Sequence, residues 1–245
     1  MPASQYITIG EFVSHDFRTT SVFSKYGIDF FCGGHRTIEE VCDKKSINHG
    51  QLLEELTEII LSTNTNAIDF NSWPLDLLVD YILKKHHRYV GAKIPAILSA
   101  LDKLCQTHSG EHPELLEIKS LFEGCATDLL AHLKKEEHQL FPVIAKLEKA
   151  TPADGIPCAA AVPVIADPIA SLRQEHNHEA VRFRKIKILT HNYAPPADSC
   201  NTYRITYSML KDFEQDLQEH IHIENNILFP RSIKLEQELV KRCCN

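Results

Sequence analysis

Two stretches of the chain carry the same arrangement of chemically active residues: His132-Leu-Lys-Lys-Glu136-Glu-His-Gln-Leu-Phe141-Pro142 and His220-Ile-His-Ile-Glu224-Asn-Asn-Ile-Leu-Phe229-Pro230. Both read H-x3-E-x4-F-P. Residues four apart on an α-helix share one face with Cβ atoms about 6 Å apart, so each stretch offers one imidazole and one carboxylate to a single point. A solitary pair of this kind is ordinarily a hydrogen-bonded pair on a helix surface. Its repetition argues for ligation instead. Leu133, Leu140 and Phe141 around the first pair, and Leu217, Ile221, Ile227 and Leu228 around the second, set both close to an apolar stripe. A carboxylate buried without compensating charge costs several kcal/mol, so a buried pair of them calls for a cation. Metal is the simplest supplier.

Two further segments offer histidine: His86-His87 in Asp80-Tyr-Ile-Leu-Lys-Lys-His-His-Arg-Tyr, and His176 in Leu172-Arg-Gln-Glu-His-Asn-His178. One from each, added to the two pairs, makes four imidazoles and two carboxylates. Nitrogen and oxygen ligation of this count without thiolate suits two irons bridged by both carboxylates, with two zincs or manganese as alternatives. A single structural zinc takes four ligands and leaves the acids unexplained. Adjacent residues diverge by about 100° on a helix, so only one of His86 and His87 is expected to face inward, and His87 is preferred. His138, His178 and His222 lie two residues from a ligand or its acid and should point elsewhere, as surface groups or supports. His15, His35, His49, His108, His112 and His191 have no partner pattern and read as solvated histidines.

The elements that must position these residues are helices. Only 9 of the 245 residues are glycine, and apolar residues recur at three- and four-residue intervals through most of the chain. No sheet is needed. Near the start, Ile9 to Tyr26 reads as one helical stretch, Thr37-Ile-Glu-Glu40 as a capping box opening a short helix, and Asn48 to Leu61 as a third helix. Gly27 to Gly34 forms a turn between the first two. The polar stretch Ser62 to Ser72 breaks the periodicity, which divides the chain into a small helical domain, residues 1–65, and a second domain, 73–245. In the latter, four long patterns (Pro74 to Thr107, Pro113 to Lys149, Pro168 to His191, Asn201 to Lys241) make a four-helix bundle, and the fold class is all-α. The connection Thr151 to Asp167 is longer than a bundle needs and is either a functional cover or slack.

Composition excludes several classes. With 26 Lys and Arg against 33 Asp and Glu, the net charge is −7, which argues against a nucleic-acid partner. No run approaches the roughly 18 apolar residues of a membrane span, and the first residues have neither a basic start nor an apolar core typical of export signals. A cytoplasmic protein is expected. The 8 cysteines are scattered without a CxxC pair, so neither a zinc knuckle nor a disulfide scaffold is indicated. Cys243 and Cys244 read as inert in a reducing compartment, the other reading being an intermolecular disulfide. There is no nucleophile triad, phosphate-cradling glycine loop or HExxH helix.

The chain resembles the di-iron family that repairs iron–sulfur clusters, in which a small ScdA-type N-terminal domain precedes a hemerythrin-like bundle. The resemblance rests on Tyr26-Gly-Ile-Asp-Phe-Phe-Cys-Gly-Gly34, on both H-x3-E-x4-F-P motifs and on Glu175-His176, and covers nearly the whole chain. It implies His87, His132, His176 and His220 as terminal ligands and Glu136 and Glu224 as bridges between two Fe ions carrying an oxo or hydroxo bridge. The implied partners are damaged iron–sulfur proteins, with nitric oxide or dioxygen as small ligands, and a homodimer is left open. Many relatives carry two adjacent cysteines where this chain has Phe31-Cys32, so Cys32 stands alone as a redox or iron-handoff thiol, the other reading being a small buried hydrophobe.

A hemerythrin-type oxygen carrier supplies two histidines four residues apart on its third helix, but here Ala180 stands four beyond His176. The expectation is therefore repair of clusters damaged by nitrosative or oxidative stress, by supplying iron or reacting with the offending molecule. A di-iron nitric oxide reductase and an oxygen- or NO-binding sensor are the alternatives.

Overall fold

The computed structural model describes residues 8–62, 68–149 and 164–243. Among them there is no strand, only an isolated bridge between Thr8 and Thr37, and the chain is all-α. No helix is long and apolar enough to cross a membrane. The described residues within Met1–Leu78, Leu147–Val162 and Ile221–Asn245 form one compact unit, and those within Val79–Lys146 and Pro163–His220 the other. The connection from Thr151 to Asp167 falls almost wholly outside the described residues, as do Cys158 and Cys244.

In the first unit, α1 (Ile9–His15) opens on a complete capping box between Thr8 and Glu11. The expected single helix to Tyr26 is broken. Asp16 adopts an extended conformation and its carboxylate accepts from the Arg18 amide and guanidinium, starting a short 3-10 turn, Phe17–Thr19, before α2 (Thr20–Lys25). An aspartate that satisfies backbone donors locally competes with helix continuation. Gly27 takes a positive φ of 63°, and the turn after it leads to α3 (Ile38–Lys45), which has the expected Thr37–Glu40 capping box. The side chain of Asn48 caps α4 (His49–Leu61). Ile9, Phe23, Ile38, Leu52 and Leu56 are fully buried and form the centre of this small core.

The expected long patterns are all helical, but three of them are interrupted by a π segment. The first comprises α5 (Leu75–Tyr81), the π segment Ile82–His87 and α6 (Arg88–His108). The second comprises α7 (Glu114–Lys135), the π segment Glu136–Leu140 and α8 (Phe141–Lys149). After α9 (Ala166–Leu189) comes α10 (Asn201–Ile223), followed without a break by the π segment Glu224–Leu228 and α11 (Phe229–Cys243). Within the second unit, α6, α7, α9 and α10 pack around Ile97, Leu101, Ile118, Phe183, Ile186 and Leu210. The rings of Phe122, Phe183 and Phe213 meet at centroid separations of 5.3 to 6.5 Å and tie α7, α9 and α10 together.

Candidate metal centre

The π segments explain the second half of the repeated motif. In each copy the amide of the phenylalanine bonds back five residues, Phe141 to the Glu136 carbonyl and Phe229 to the Glu224 carbonyl. The α-helix then restarts, so Pro142 and Pro230 sit in a first turn, where a missing N–H costs nothing. Single-turn π segments are often found at functional sites. Here each begins on the acid of a His–Glu pair, and the third ends on His87.

The six expected ligands converge. His87, Glu136, His220 and Glu224 each place a ligand atom within 4.8 Å of the others, and so do His132, Glu136, His176 and Glu224. The two groups share both acids. All six side chains are buried, Glu136 and Glu224 completely. The Glu136 carboxylate divides between the groups, with Oε1 3.2 Å from Nε2 of His132 and Oε2 3.5 Å from Nε2 of His87. Nε2 of His176 and Nε2 of His132 stand 2.9 Å apart.

Carboxylates outside the cluster set the histidine tautomers. Nδ1 of His132 is 2.9 Å from Glu175 and Nδ1 of His87 is 2.8 Å from Glu137. With the proton held at Nδ1, Nε2 carries its lone pair towards the cluster, which is how a histidine ligand is prepared for metal. Burial favours the neutral acid in Glu175, but hydrogen bonds from Lys135 (2.7 Å) and His132 outweigh it and hold the carboxyl below its usual range. Glu175 enters the sequence reading only within the Glu175-His176 motif that carries the resemblance, and neither carboxylate is given a role there. Glu175 was legible, since it precedes His176 and therefore sits at its edge, while Glu137 is one residue past a ligand and reads as solvent-facing.

Both His86 and His87 are buried, which corrects the expectation that only one faces inward. The π turn widens the helix there, and only His87 enters the cluster. Nδ1 of His86 lies 3.1 Å from Asp216, and its ring stacks on His220 at 5.4 Å. His138 and His178 are exposed as expected. His222 is not a surface group. It is buried against Phe17 and receives the Asn226 amide at Nδ1 (2.9 Å), and burial pushes its titration down to about 3, which favours the neutral ring. Two of the histidines read as solvated are also engaged: His108 lies 3.2 Å from the Cys200 sulfur, and His112 lies between Glu114 and Asp198.

Cys32 is half-buried in a loop wrapped on one carboxylate oxygen, Asp29 Oδ1, which accepts the amides of Phe31, Cys32 and Gly33 at 2.9 to 3.2 Å. The donor set suits a pair of transition-metal ions: imidazole and carboxylate, buried, in two groups with shared acids and no thiolate.

Comparison with known proteins agrees. The hemerythrin HHE cation binding domain matches residues 78–232, and a domain of unknown function, DUF542, matches residues 6–60. The iron-sulfur cluster repair protein YtfE of Pectobacterium carotovorum subsp. carotovorum is 31% identical over 94% of this chain and 97% of its own length. Its counterpart YtfE in Musicola paradisiaca is 29% identical over the same shares, and the iron-sulfur cluster repair protein ScdA of Staphylococcus haemolyticus is 28% identical over 90% of this chain and 95% of its own. With its two domain matches and full-length relatives, the chain belongs to the family of iron–sulfur cluster repair proteins, built from a DUF542 domain and a hemerythrin HHE cation-binding domain.

Proposed function

We propose that the protein repairs iron–sulfur clusters damaged by nitrosative or oxidative stress, with His87, His132, Glu136, His176, His220 and Glu224 holding two Fe ions under an oxo or hydroxo bridge. The observation that carries this reading is the Glu136 carboxylate, which turns one oxygen towards the His132 group and the other towards His87. A bridging acid needs that geometry. Six protein ligands for two metals leave coordination positions open, and when bound the pair supplies releasable iron and a place for nitric oxide or dioxygen. The protein's own part is to hold the lone pairs of His132 and His87 inward through Glu175 and Glu137 and to keep both acids dry.

The reading includes damaged iron–sulfur proteins as partners, a cytoplasmic location, a functional division at residues 1–65 and 73–245, and Cys32 as the thiol that receives outgoing iron. Ala180, where an oxygen carrier has a histidine, supports reaction or release over oxygen carriage.

The test pairs metal analysis with repair of a nitrosylated iron–sulfur protein, for the intact chain and for Glu136→Ala and Glu224→Ala. About two irons per chain are expected in the intact protein. Both variants should lose at least about tenfold in repair together with bound iron, as removal of a metal-holding group implies. Repair that survives loss of the iron, or turnover of nitric oxide by the reduced chain without any acceptor, would sink the donor reading, the latter in favour of a reductase.

A further inference from the structure

The helix that carries His220 and Glu224 has a second pair at the same spacing on its other side. Residues two apart on a helix point about 200° from one another, so His222 and Asn226 face roughly opposite to His220 and Glu224. In the second pair His222 is buried and Asn226 half-buried, and both meet the N-terminal segments. The Asn226 amide nitrogen donates to the Phe30 carbonyl (3.1 Å) and to Nδ1 of His222 (2.9 Å), which uses both of its hydrogens and fixes its orientation. Its oxygen is thereby turned onto two glycines. A methyl group on Gly34 would stand 2.5 Å from that oxygen and one on Gly10 2.7 Å, so neither position accepts a larger residue while Asn226 is in place. The backbones of these glycines are themselves joined, Gly10 N–H to the Gly34 carbonyl at 2.8 Å. Beside this contact, the Asn225 amide donates to the Phe31 carbonyl at 3.2 Å.

Two consecutive carbonyls immediately before Cys32 are therefore held by the two residues immediately after Glu224. The remainder of the loop is fixed internally on Asp29. A loop tied this closely to a helix moves with it. We propose that Asn226 is a positioning residue that couples the Cys32 loop to the metal-bearing helix, so that seating of metal on Glu224 and presentation of the Cys32 thiol depend on each other. This rests on the repair reading for its iron and its thiol, and adds the residue that joins them. Linkage requires the coupling to run both ways: if metal tightens the loop, disturbing the loop weakens the metal by the same factor.

The experiment measures iodoacetamide alkylation of Cys32, followed by peptide mass spectrometry, on the full chain with and without ferrous iron. In the unsubstituted chain, iron should slow alkylation at least about fivefold, the lower end of ordinary coupling strengths. In Asn226→Ala, the metal-free chain should already react about fivefold faster than its unsubstituted counterpart, and added iron should no longer change the rate although it still binds. Gly10→Ala should reproduce this loss by forcing the amide out, and should add little to Asn226→Ala, as expected of residues acting through one contact. A Cys32 rate that ignores iron in the unsubstituted chain, or that responds equally in Asn226→Ala, overturns the proposal. Should Asn226→Ala fail to fold, Asn225→Ala, which removes the hydrogen bond to the Phe31 carbonyl, decides the question by the same comparison. Should the chain bind no iron at all, the repair reading fails; the metal-free rates of the two proteins then decide the positioning role, and equal rates overturn it.

Discussion

The two H-x3-E-x4-F-P copies have the same local backbone and opposite surroundings. Each runs from helix into a π turn at the acid, with the phenylalanine amide bonded five residues back. In the first copy the side away from the cluster is solvated: Lys134 and His138 are exposed, and so is Glu137 apart from its contact with His87. In the second, the equivalent residues are His222, Asn225 and Asn226, buried or half-buried against α1 and the Cys32 loop. The identity of the copies therefore concerns the His–Glu cluster they share. What distinguishes them is a second interface on one helix, and it predicts very different tolerance to substitution at matching positions.

The sharpest way to break this comparison is to make the second copy resemble the first. His222→Lys places an ammonium where burial already keeps an imidazole neutral, and it removes the acceptor for the Asn226 amide. An uncompensated buried charge together with a lost network contact should destabilise the fold by about 3 kcal/mol or more. Lys134→His, the reverse exchange in the first copy, should change stability by less than about 0.5 kcal/mol because the side chain is solvated. Urea denaturation of both variants measures this. Similar effects in the two copies would mean that the second interface contributes nothing.

A smaller effect sharpens the role of the first copy in aiming histidines. Glu175 is held by Lys135 and hydrogen-bonds to His132, whereas Glu137, the partner of His87, is more exposed. Glu175→Ala should lower metal affinity by about 10- to 100-fold, as loss of a carboxylate behind a ligand histidine does. Glu137→Ala should fall at the lower end of that range. Competition with a chelator for bound iron gives both numbers, and an effect confined to Glu137 would reverse the ranking.

How much of this was legible in the sequence follows from the range of the forces involved. The helices and the convergence of six ligands were legible because i, i+4 spacing and apolar periodicity are local signals, and a repeated His–Glu pair is hard to explain otherwise. The break at Asp16 was missed because a side chain capping its own backbone overrides apolar periodicity, which continues across it. The π turns were hidden although Phe-Pro marks them: phenylalanine and proline stand five and six residues after each acid, but carry a backbone consequence only once the i–5 bond is seen. His222 is buried against Phe17, about two hundred residues away in the chain, and no local pattern reports such a contact. The same holds for His108 and Cys200, which come together only when α6 and α10 are packed.

The smallest predicted effect lies at the other end of α6, about 30 Å along the helix from His87 by its rise per residue. His112 lies 3.0 Å from Glu114 and 3.5 Å from Asp198. Burial works against its charge, but the two carboxylates outweigh burial and raise its titration above the ordinary histidine range. Because the folded protein holds this proton more tightly than the unfolded chain, the pair's contribution is complete below the unfolded value of about 6.5 and fades as pH rises through the folded one. The group is near the surface, so solvent screening limits the contribution to less than about 1 kcal/mol. His112→Gln should therefore lower the melting temperature slightly at pH 6 and not measurably at pH 9, with iron binding unchanged at both. A loss of iron in this variant would contradict the separation of the two ends, because nothing at His112 belongs to the cluster that Glu136 and Glu224 share.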